Sequence, residues 1–126
     1  MNYTSIEQSK KLVELGLNPD SADMYYTGVG DIETGEFVIS EKTSIIEVGK
    51  GYKGTLPCWS VGALFTLLPK IENIYYANLY KASYAVEACG YIAEDGRVWK
   101  IFVGEDCVDA CYKMAVFLLE NGYIMR

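Results

Sequence analysis

Apolar and polar positions repeat with two different periods along this chain, and the change of period marks out its elements. From Thr4 to Leu15 the apolar positions Ile6, Leu12, Val13 and Leu15 gather toward one face at helical spacing, which predicts an amphipathic helix. Thr4-Ser5 supplies an N-cap, with Glu7 or Gln8 three residues further on in capping-box position. Gly16 stands where a left-handed C-cap is wanted, and Leu17 can close its hydrophobic contact. A second apolar stretch, "CWSVGALFTLLP" from Cys58 to Pro69, predicts a short, largely buried helix starting near Trp59 or Ser60. Gly62 in it is expected to admit close approach of another element.

The period then shortens to two. "IYYANLY" (residues 74–80), "YAVEACGYI" (84–92) and "RVWKIFV" (97–103) are rich in aromatic and β-branched residues and read as strands. Asp95-Gly96 joins the last two as a hairpin turn, with Glu94 and Arg97 placed for a cross-strand charge pair. Strict alternation in the last strand puts Arg97, Trp99, Ile101 and Val103 on a mostly apolar face, opposite Val98, Lys100 and Phe102. Asp106 then caps a helix running to Glu120, stopped by Asn121-Gly122. This helix is apolar almost all round: Val116 interrupts its polar stripe, and Tyr112 and Phe117 border it. Such a helix is either deeply buried or part of an interface.

Between these blocks the signal weakens. Residues 25–54 read as an irregular arm or hairpin, with strand candidates at Phe37–Ser40 and Ser44–Val48 and a turn at Glu33–Glu36. "GKGYKG" (49–54) lacks both the spacing and the strand-to-helix setting of a phosphate-binding loop, and reads as a turn. The expected fold is therefore α+β in one domain, residues 1–126. An antiparallel sheet of three or more strands is packed by N-terminal, central and C-terminal helices.

Composition restricts the chemistry more than it suggests any. The 126 residues include no histidine, which removes Ser-His-Asp and Cys-His catalysis and mixed Cys/His metal sites. A formal net charge of −6 and a pI near 4.6 argue against a nucleic-acid partner. A helix-turn-helix over Gln8–Met24 has the same difficulty, because Asp20 and Asp23 would face phosphate. The order helix, three strands, helix brings the double-stranded-RNA-binding topology to mind, but its last helix would begin on acidic "GEDCVD". No apolar run is long enough for a membrane span, and residues 1–11 have no secretory pattern, so the expected location is the cytoplasm.

Four cysteines remain: Cys58, Cys89, Cys107 and Cys111. Cys107 and Cys111 share a helix face, but they lack the knuckle spacing of a zinc site, so core packing is the reading and no metal or cofactor is assigned. Cys58, just before a helix, is the candidate for an alternative in which a thiol makes the chain a small enzyme or redox protein. Its "PCWS" echoes papain-like proteases over two residues, without the histidine they need. No catalytic residue is assigned.

The blocks "TSIEQSKKLVELGLNPDSADM" (4–24), "LPCWSVGALFTLLP" (56–69) and "AVFLLENGYI" (115–124) resemble small proteins encoded by phages and prophages of gut anaerobic bacteria. The likeness covers both ends and the central helix, and matches the arm and sheet loosely. It implies a mobile-element origin in a bacterial cytoplasm and no catalytic residues. The functional expectation is a non-catalytic accessory protein that associates with itself or with another phage or host protein. Its contact candidates are Tyr25 and Tyr26 on the arm, and Tyr112, Val116 and Phe117 on the last helix. A thiol enzyme and a helix-turn-helix regulator are the alternatives.

Overall fold

A computed structural model describes residues 2–28, 37–41 and 55–124. Its order is α1 (Ile6–Glu14), a single 3-10 turn (Pro19–Ser21), β1 (Met24–Gly28), β2 (Phe37–Glu41), β3 (Thr55–Cys58), α2 (Val61–Thr66), β4 (Tyr76–Ser83), β5 (Val86–Ile92), β6 (Val98–Gly104) and α3 (Cys107–Glu120). The fold is α+β, with two antiparallel three-stranded sheets ordered β2-β1-β3 and β4-β5-β6.

Local chemistry sets the helix ends. Ser5 caps α1: its hydroxyl accepts from Gln8 N, and the Gln8 side chain accepts from Ser5 N, at 3.1 and 2.9 Å. At the other end Gly16 has φ 90°, and the bonds Gly16 N to Val13 O and Leu17 N to Leu12 O complete a Schellman motif over buried Leu12 and Leu17. α3 closes in the same way on Gly122, at φ 78°. After α1 the chain makes one 3-10 turn and enters β1, so the second helix of a helix-turn-helix is not formed.

Part of the expected arm is a sheet. β1 pairs with β2 and also with β3, thirty residues downstream, through Met24 opposite Cys58 and Tyr26 opposite Leu56. Cys58 thus ends a strand rather than opening a helix. Pro57 is tolerated because β3 is an edge strand. The expected turn at 33–36, the strand candidate 44–48 and the 49–54 turn lie outside the described residues. α2 is also shorter and more exposed than expected. It is capped by Ser60, only Leu64 is fully buried along it, and a Cβ on Gly62 would meet just the Ser60 hydroxyl at ordinary contact distance.

α3 lies on one face of β4-β5-β6 and contributes Val108, Cys111, Met114, Leu118 and Leu119 to a core shared with Leu12, Trp59, Leu64 and Tyr91. α3 packs against α2 as well as the sheet, so much of its apolar surface is buried, with Tyr112, Val116 and Phe117 half-buried. A β-bulge decides which strand residues meet it. Tyr91 pairs with Lys100 but Ile92 pairs with Val98, which leaves Trp99 as an extra residue. Trp99 therefore joins Phe102 on the helix side, with its ring edge-on to Tyr91, Phe117 and Tyr123 at 5.2–5.9 Å. Ile101 and Val103, expected to share a face with Trp99, point to the opposite side. The hairpin pairing also differs: Arg97 bonds Asp95 within the turn at 2.8 Å rather than Glu94 across it.

Candidate functional site

The four thiols occupy two separate places. Cys58 belongs to a small polar cluster beneath the N-terminal segment. Thr4 is fully buried there. Its hydroxyl accepts from Trp59 N at 3.1 Å and lies 2.8 Å from the Ser9 hydroxyl, while its carbonyl accepts from the Tyr26 hydroxyl at 2.6 Å and the Cys58 thiol at 3.4 Å. Burial holds the Cys58 thiol above its usual range, and this outweighs the bonds from Thr4 and Tyr26. Burial likewise raises the Tyr26 phenol. The Cys58 thiol is fully buried.

Cys89 on β5 and Cys111 on α3 meet in the main core, both fully buried. A hydrogen bond from Cys111 favours the Cys89 thiolate, and the same bond, with burial, pushes Cys111 up. The Tyr91 hydroxyl nearby is buried with no hydrogen-bond partner. Cys107, half-exposed at the start of α3, is raised by burial and then by Glu87. Glu87 stands opposite Lys81 in the strand register. Cys58 belongs to a different hydrophobic cluster from Cys89 and Cys111, and among the described residues no three His, Cys, Asp or Glu side chains are grouped to hold a metal.

The contact candidates on the last helix and the arm are engaged within the chain to different degrees. Tyr26 is 7% exposed, with its hydroxyl committed to Thr4 and its ring edge-on to Tyr3. It is a core residue. Phe117 is half-buried among Trp99, Phe102 and the Lys100 ammonium, which lies 4.8 Å over its ring. Tyr112 and Val116 are half-buried against the same core, and Tyr25, half-buried, sits opposite Pro57.

The exposed apolar surface lies elsewhere. Residues paired across strands share a face. One face of β4-β5-β6, turned from α3, therefore carries Tyr76, Tyr80, Ile92, Val98, Ile101 and Val103, with polar Asn78 among them. At its centre Ala88 and Gly90 are buried, and Tyr80 and Ile101 lean over Gly90: a Cβ there would stand 3.0 Å from Ile101 and 3.5 Å from Tyr80. Tyr76, Val98 and Val103 remain 42–52% exposed. Strict period-two reading missed this face because the bulge at Trp99 shifts the phase of β6. The signal available in the sequence was the crowding of aromatic side chains that one α3 has to accommodate.

The free edges of this sheet are blunted by side chains. Lys113 Nζ donates to Val103 O at 2.9 Å on β6, and Asn78 Nδ2 donates to Tyr76 O at 2.9 Å on β4. Among the described residues no helix is long and apolar enough to cross a membrane. Comparison with protein-family models, curated proteins and solved structures finds no match to this chain.

Proposed function

We propose that this chain is a non-catalytic accessory protein, of phage or prophage origin, that works through protein–protein contacts including self-association. Its contact surface is the outer face of β4-β5-β6 rather than α3. The observation that carries the reading is the group Tyr76, Val98, Ile101 and Val103, large apolar side chains 38–52% exposed on one face. The origin rests on the resemblance of residues 4–24, 56–69 and 115–124 to phage and prophage proteins. The absence of histidine and the inaccessibility of three of the four thiols support the non-catalytic part.

Two measurements test it. Val98→Lys, at a site 52% exposed, is expected to weaken concentration-dependent association while leaving the unfolding midpoint nearly unchanged; unaltered association would remove the outer face from the proposal. Titration of the native protein with an aromatic disulfide reagent near neutral pH should show slow reaction at Cys107 and none at Cys58, Cys89 or Cys111 until the chain unfolds. One fast-reacting thiolate would instead favour the enzyme alternative.

A further inference from the structure

Tyr84 is the most exposed large apolar side chain among the described residues. At 97% exposure it stands at the tip of the β4–β5 turn and touches little of its own chain. Immediately beside it, where the outer face meets the free edge of β6, is a shallow depression. Ala85, Val86 and Val103 give it apolar walls, and Glu105, Asp109 and Lys113 supply its polar side. The ion pair Lys113–Asp109, at 3.2 Å, holds that side in place. Such a depression suits a tyrosine, whose ring is apolar and whose hydroxyl can both donate to a carboxylate and accept from an ammonium.

The two features adjoin at the hairpin end of the sheet, where the outer face meets the side of α3, and Tyr84 is not among the residues lining the depression. A two-fold axis passing between knob and hollow seats each copy's Tyr84 in the other copy's hollow, which is the self-complementary arrangement that closes a dimer. We infer that the partner of the outer face is a second copy of this chain, joined by reciprocal insertion of Tyr84 beside Val86 and Val103. The inference deepens the interaction reading above and rests on it.

Area supports a reversible dimer. Three strands about 4.8 Å apart and seven residues long at about 3.3 Å each give a face of roughly 14 Å by 23 Å. Two such faces bury on the order of 600 Å², and two tyrosine rings at about 150–250 Å² each bring the contact to about 1,000 Å². That is near the lower bound for a specific interface and well below a permanent one. On this footing Tyr84 is the anchor without which the flat face alone falls short.

Sedimentation equilibrium of the full chain from about 10 μM to about 1 mM, in the weak-affinity range, tests this directly. The wild type should pass from monomer to dimer. Tyr84→Ala should raise the dissociation constant at least about tenfold, as loss of an interface anchor does, with an unchanged circular-dichroism spectrum because the side chain supports nothing in its own fold. Isotope-filtered nuclear Overhauser contacts should connect the Tyr84 ring of one copy to Val103 methyls of the other. If Val98→Lys weakens the dimer and Tyr84→Ala does not, the outer-face reading stands and the reciprocal insertion is overturned. A dimer indifferent to both variants overturns both, and a wild type that stays monomeric throughout overturns self-association in any form.

Discussion

Gly104→Ala is expected to cost about 3 kcal/mol of stability, or to leave the chain unable to fold. Gly104 is the last residue of β6, faces α3, and is buried. A Cβ there would stand 2.6 Å from the backbone nitrogen of Ala110 and 2.6 Å from the Asp109 carboxylate. The carboxylate could swing away, but the helix backbone could not do so cheaply. Its first turn is fixed by Asp106, whose side chain accepts from Asp109 N at 2.8 Å, and by the burial of Val108, Ala110 and Cys111. Moving α3 off the strand by the needed fraction of an ångström would loosen contacts along its whole length, because interiors are packed near crystal density. The guanidinium unfolding midpoint measures the loss. A change below about 1 kcal/mol would show that α3 can slide on the sheet, contrary to this packing.

Thr4→Val follows as the second large effect, expected at about 2–4 kcal/mol. The substitution nearly keeps the volume and removes one hydroxyl, yet that hydroxyl serves two buried oxygen and nitrogen partners and also donates weakly to the Cys58 thiol at 3.7 Å. Trp59 N would lose its acceptor and the Ser9 hydroxyl its partner, both where water does not reach. Each orphaned group costs about 1–3 kcal/mol. Ser9→Ala is the internal comparison. It should cost about 1 kcal/mol, because the Thr4 hydroxyl would still receive Trp59 N. Urea unfolding of the two variants separates the roles, and equal losses would assign the effect to Ser9 rather than to the backbone of Trp59.

The readable parts of this fold were those determined by nearby residues. The capping box at Ser5 and Gln8, the glycine closures after α1 and α3, and the β5–β6 hairpin at Gly96 all depend on contacts a few positions apart. The parts that escaped depend on distant partners. β3 holds a proline and no alternation, and it becomes a strand only because Met24–Thr27 lies beside it. β6 was placed correctly but faced wrongly, since nothing local announces the bulge. The same holds for the faces of α3. An almost wholly apolar α3 is compatible with burial and with exposure alike, and which of its residues are covered depends on packing against α2 and the sheet, elements distant in sequence. For the cysteines, only the packing divides Cys58 from Cys89 and Cys111.

The bulge makes β6 one residue longer than its hydrogen-bonded ladder, so sequence length and strand phase are uncoupled at this one place. Loss of residue 99 would leave Val98 and Lys100 as adjacent rungs, in step with Ile92 and Tyr91. The ladder would close without slipping, yet the ring that ties Tyr91 to Phe117 and Tyr123 would be gone. Loss of Ile101 would do the reverse, sparing that ring and inverting every side chain on one side of the gap. A length change of one residue in this strand therefore reads either as a missing rivet or as a reversed fabric, depending on which side of Lys100 it falls.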